Sequence, residues 1–116
     1  MSTLQPITLR QGNTETVGIV ITPDTPGDDL TLITSLRLVM KPDQCTVDTS
    51  TTALVLTTAN PAQMVITSQA AAQITAEAYI PATALADPYN RWWRVDAFIG
   101  VTYRTALYGP VTVLDL

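Results

Sequence analysis

The sequence predicts an all-β domain: seven to nine short antiparallel strands forming a sandwich or barrel, with at most one or two single-turn helices. Three observations predict it. Threonine is the commonest residue, and with valine and isoleucine it supplies the β-branched side chains that suit a pleated, half-buried surface better than a helix. Prolines at 6, 23, 26, 42, 61, 81, 88 and 110 interrupt the chain repeatedly, which favours short segments over a long helix. Between those breaks, apolar residues recur with a period of two.

Taken in order, Ile7 and Leu9 alternate with Thr8 and Arg10, a first strand that ends at Gln11-Gly12-Asn13. Val17, Ile19 and Ile21 share one face of the next, closed by the turn-rich acidic run Pro23 to Asp29. Leu36, Leu38 and Met40 form the apolar face of a third strand, which Pro42 and Asp43 stop. Cys45 to Thr51 reads as loop and Thr52 to Thr58 as strand, broken by Asn60-Pro61. Met64 and Ile66 mark a short fifth strand. Ser68 to Gln73 is expected to form one helical turn with Ser68 as its N-cap.

Ile74, Ala76, Ala78 and Ile80 then alternate with polar residues, a strand pattern despite the alanines. Pro81 to Asp87 is expected to make a second single turn, with Pro88 just beyond it. Arg91 to Ile99 and Thr102 to Leu107 flank Gly100-Val101 as the clearest hairpin, and Gly109-Pro110 is expected to turn into a closing strand, Val111 to Leu114. No internal repeat or Gly/Ser-rich linker divides the chain, so residues 1–116 are read as one domain, an immunoglobulin-like β-sandwich.

The 116 residues suffice for a single core, and 47% apolar against 14% charged residues argue against intrinsic disorder. A net charge of −4 without a Lys/Arg cluster argues against nucleic acid as a partner. With no histidine and one cysteine, Cys45, the common transition-metal sites, intrachain disulfides and most catalytic triads are excluded. Cys45 is read as core or loop filler. The longest apolar runs are about five residues against the roughly twenty that a membrane helix needs, and the N-terminus lacks the pattern of a secretory signal. No membrane association is expected.

The search for chemistry ends without an active site or a cofactor. Ser2, Ser35, Ser50 and Ser68 have no lysine at motif spacing, Lys41 being the only one, and the isolated glycines build no phosphate cradle. Asp24, Asp28 and Asp29 lack the spacing of a calcium loop and read as a solvated turn. Glu77 and Asp96 are the only acids within predicted strands, a conceivable glycosidase pair, but Arg94 on the same face makes an ion pair the simpler reading for Asp96.

Trp92 and Trp93 are adjacent in a strand and must point to opposite faces. One belongs to the core. Alternation leaves open which of the two faces outward; the outward one is the candidate interface anchor, the interface set being Trp92, Arg91, Arg94, Tyr103 and Tyr108, although it can equally cover a sheet edge or pack under the Pro88 loop. A surface this poor in charge is expected to be covered by neighbours.

The order of these features resembles a known family. ITLRQGNTETVGIVITPDTPGDDLTLITSLRLVMK is similar to the opening of β-sandwich domains of tailed-phage virion proteins, such as the N-terminal domain of baseplate upper proteins and related tail-fibre-associated sandwiches. The matching features are Gly12-Asn13, Val17 to Ile21, Asp29-Leu30-Thr31 and Arg37. RWWRVDAFIGVTYRTALYGPVTVLDL resembles the family's last hairpin and its G-x-V-x-V close, here Gly109, Val111 and Val113. Asn13 and Leu32 depart from the family's usual acid and glycine. The resemblance implies a non-enzymatic structural protein of a bacteriophage virion, made in the host cytoplasm. It would pack by sheet edges and loops onto other phage structural proteins, as a tail or baseplate adaptor or a capsid decoration protein. A homo-oligomer in a symmetric assembly is expected, and a fibre-forming or receptor-binding extension after the sandwich is not expected. The alternative from a different class is a carbohydrate-binding β-sandwich module that stacks sugars on its exposed aromatics.

Overall fold

The computed structural model describes residues 3–23, 28–86 and 89–114. The described chain is mostly β and forms two sheets. Its strands are β1 (Thr3–Leu4), β2 (Ile7–Arg10), β3 (Glu15–Ile21), β4 (Ser35–Lys41), β5 (Leu54–Thr57), β6 (Met64–Ala70), β7 (Gln73–Ile80), β8 (Arg91–Ile99) and β9 (Thr102–Leu114). The large sheet runs β1-β9-β8-β4-β5, with β2 also on β9, and the small one runs β3-β7-β6. Helical structure among the described residues is limited to two 3₁₀ turns, Leu30–Leu32 and Ala82–Leu85. Asp29 caps the first by accepting from the Thr31 amide and hydroxyl at 3.0 and 2.5 Å.

Alternation places the core. Val17, Ile19 and Ile21 on β3 and Ile74, Ala76, Ala78 and Ile80 on β7 face Leu36, Leu38 and Met40 on β4, Trp93 and Val95 on β8, and Leu107, Val111 and Val113 on β9. All are buried in one cluster that joins the sheets. A one-residue slip of any of these strands would turn its apolar set to water.

Several expected elements differ. Ser68 to Gln73 is not a helical turn: β6 continues to Ala70 and the hairpin turns at Ala71-Ala72. Ser68, Gln69 and Ala70 pair with Thr75, Ile74 and Gln73 of β7, and that ladder outweighs the helix propensity of three alanines. Gln69 adds an anchor, donating through Nε2 to the Leu30 and Ile33 carbonyls at 2.9 and 2.8 Å.

Gly109-Pro110 does not turn either, and β9 runs straight through it. β1 pairs with Leu107 and Tyr108 and β2 resumes at Val111, so the missing N–H of Pro110 falls opposite the break at Gln5-Pro6, where no ladder bond is needed. The sheets are also not purely antiparallel. β1 and β2 run parallel to β9, because the chain's first and last strands meet without a hairpin between them.

The strand expected over Thr52 to Thr58 is confined to Leu54–Thr57. Cys45 is exposed in the loop before it. Gly100 has φ 64°, which supplies the positive φ of the last hairpin, and Gly12 does the same after β2 at 74°. Residues 24–27 of the acidic run, together with Asp87 and Pro88, lie outside the described residues.

Candidate functional site

The outer face of the large sheet carries a connected network of charged side chains. Register builds it: Arg37 lies opposite Asp96, Val39 opposite Arg94 and Lys41 opposite Trp92 across β4 and β8. On the other side of β8, Phe98 faces Tyr103, Asp96 faces Thr105 and Arg94 faces Tyr108. The pairing shifts between Val95 and Asp96, leaving Ala106 as an extra residue on β9. That bulge changes the parity of β9, so Tyr103, Thr105 and Tyr108 share one face, as strict alternation would not allow.

Asp96 is the hub, with 0% of its surface exposed. Its Oδ2 accepts from Arg37 Nε and Nη2 at 3.1 and 2.7 Å, and Arg94 Nε donates to both carboxylate oxygens at 3.1 Å. The Thr105 hydroxyl donates to Oδ1 at 2.9 Å. Arg94 then reaches outward to Asp48, which accepts from Nη1 at 2.9 Å and also from Nη2. Lys41 Nζ closes the chain on Asp48 at 3.2 Å. Signs alternate along Arg37, Asp96, Arg94, Asp48 and Lys41, so every carboxylate has two cations beside it.

The Arg94 guanidinium, by hydrogen bonding, holds the Asp48 carboxyl well below the usual carboxylate range, with Lys41 adding to the effect against the cost of burial. In return Asp48, and then Asp96, raise the Arg94 pKa above its ordinary value. Asp48 therefore stays ionised at neutral pH and holds no proton to give as a general acid.

Arg37 also lies over an aromatic pair. Its guanidinium carbon lies 5.0 Å from the Phe98 ring centre and 4.6 Å from that of Tyr103, and the two rings are 5.0 Å apart. Further along the face, Trp92 and Tyr108 border a depression of 180 Å³ with Val39, Lys41, Gln44 and Arg94.

Of the expected interface residues, Trp92, Arg94, Tyr103 and Tyr108 come together on this outer face, with Trp92 half-buried. Arg91 does not join them. It is one residue from Trp92 and so points the other way, only 6% exposed, with its guanidinium 4.0 Å above the Tyr89 ring and Nη1 donating to the Tyr89 carbonyl at 3.0 Å. Trp93 is the core member of the tryptophan pair.

Glu77 lies on the outer side of the small sheet, whereas Asp96 lies on the outer side of the large one, so the two acids are not brought together. No group of three or more potential metal ligands occurs among the described residues. Sequence reasoning found the Arg94–Asp96 pair but missed Arg37, Lys41 and Asp48. The contributions of Arg37 and Lys41 depend on the β4–β8 register, and Asp48 comes from a loop that read only as polar. No family model matches this chain, and no curated protein matches it.

Proposed function

We propose that this chain is a non-enzymatic structural protein of a tailed-bacteriophage virion, an immunoglobulin-like sandwich that packs by its edges and loops onto neighbouring virion proteins. The finer fold assignment rests on strand order. The sequence β3-β7-β6 follows the B-E-D order of immunoglobulin domains, and β9-β8-β4-β5 follows G-F-C with one further strand beyond C.

The observation that carries the functional reading is the apolar tip of the β8–β9 hairpin. Val101 is 96% exposed, Ile99 55% and Tyr103 48%, three such side chains within five residues at the end of the hairpin. Exposed apolar groups concentrated in this way favour a contact with another protein. The resemblance of both ends of the sequence to virion sandwiches supplies the setting, a tail or baseplate adaptor or a capsid decoration protein, and repeated virion positions favour a symmetric homo-oligomer.

The test is complementation. A phage deleted for this chain would be supplied with Val101→Asp or Trp92→Ala, both at outward positions. The reading expects folded protein that no longer enters particles; normal incorporation of both variants would contradict it.

A second reading, a carbohydrate-binding module, is favoured by Trp92 and Tyr108 bordering one depression, since aromatic faces stack on sugars. A glycan array with binding lost in Trp92→Ala would support it. An array without any binding removes it.

A further inference from the structure

Sheet edges normally carry a guard against pairing with other chains: shortness, a bulge, a proline or a well-placed charge. Among the described residues every edge but one does. β5 has four residues. The register of β6 shifts between Ile66 and Ser68. The β1–β2 edge is broken by Pro6, and the stretch of β9 before β1 contains Arg104.

β3 is the exception. Its pairing with β7 runs through seven consecutive residues, Glu15 to Ile21, without a shift, and its other side meets no strand among the described residues. It holds no proline or lysine, and its one charge, Glu15, is at the end.

We propose that the β3 edge pairs antiparallel with β3 of a second copy of this chain, about a two-fold axis at Gly18. This register sets Thr16 opposite the second copy's Val20 and Val17 opposite its Ile19. It keeps the buried set of both strands, Val17, Ile19 and Ile21, on the core side. Val20, 51% exposed in the single chain, gains cover.

Charge selects the occupant. Glu15 meets Ile21 of the other copy, and the two Glu15 side chains lie at opposite ends of the contact, so self-pairing opposes no like charges. The corresponding self-pairing of β9 around Arg104 would set arginine against arginine.

Size sets the strength. A seven-residue strand is about 24 Å long, and the molecule is 22 Å across its shortest dimension. The patch is therefore on the order of 500 Å² per copy, below the roughly 800 Å² of a standard interface. The contact is weak and concentration-dependent, suited to a position where other contacts hold copies side by side. It stands apart from the virion reading, since purified chain can pair or fail to pair whatever particle contains it.

Sedimentation velocity across a concentration series reaching several hundred micromolar tests it. Wild type is expected to dimerise at the upper end. Thr16→Lys with Val20→Lys puts lysine opposite lysine twice and weakens the dimer on the order of tenfold, while Thr16→Lys with Val20→Glu puts opposite charges in register and preserves it. Both positions are exposed, and circular dichroism reports their folding. Hydrogen exchange on the wild type gives a readout independent of the variants: β3 amides gain protection as concentration rises. Wild type that stays monomeric throughout, a dimer indifferent to the lysine pair, or unchanged β3 exchange in a dimer would each overturn the proposal.

Discussion

Trp93 and Gly109 face each other across β8 and β9, and the backbone of Gln5 joins them. The Trp93 indole N–H donates to the Gln5 carbonyl at 2.7 Å, and a Cβ added at Gly109 would lie 2.6 Å from that same oxygen. The glycine thus lets the N-terminal segment come close enough to satisfy a buried indole. Gly109→Ala must push Gln5 away and leave the indole N–H without its acceptor, at a cost of about 1–3 kcal/mol. Urea denaturation measures it; an unchanged midpoint would show that the close approach is dispensable.

The two tryptophans should differ sharply. Trp93→Ala opens a cavity in the shared core and is expected to cost about 3–5 kcal/mol. Trp92→Ala, on the outer face, is expected to stay within about 1 kcal/mol. Thermal unfolding of the pair decides, and equal losses would refute the assignment of faces.

Asp96 holds two arginines on one buried carboxylate. Asp96→Ala leaves Arg37 and Arg94, diagonal neighbours across β4 and β8, with their shared acceptor gone, and about 3 kcal/mol of stability is expected to go with it. Arg37→Met, which gives up the guanidinium over Phe98 and Tyr103 but leaves Arg94 on the acid, should cost less. Denaturant titration orders the two, and the reverse order would contradict the hub role of Asp96.

Asp48 makes stability depend on acid. Its folded-state pKa is depressed by Arg94 below the ordinary carboxylate value, so the folded state binds its proton less readily than the unfolded chain does. The contribution is fully present above the unfolded value near pH 4 and is lost as pH falls below it toward the folded value. Asp48 is partly exposed, and the effect is about 1 kcal/mol or less. Melting curves of wild type and Asp48→Asn should therefore lie apart at pH 6 and approach each other toward pH 3. A constant separation would contradict the linkage.

The β class and the inner faces of the main strands were legible because period-two patterns are local. Ile74 to Ile80 alternate so regularly that the alanines among them did not mislead. The errors fall where tertiary partners decide. Nothing near Ser68 announces that β7 will pair with it, and nothing near Pro110 shows that Pro6 will break the facing ladder. The outer-face network was half legible for the same reason. Arg94 and Asp96 are two residues apart, whereas Arg37 and Asp48 reach the site through register and a loop, and the Ala106 bulge that gathers Tyr103 with Tyr108 leaves no local mark.

The central claim, a structural brick of a phage particle, is tested most directly by quantifying this chain in gradient-purified virions against the major capsid protein. The account predicts a fixed number of copies per particle, in the hundreds for a head-shell position or a dozen or fewer for the tail tip. Particles free of the chain, with all of it left in the lysate, would contradict the claim.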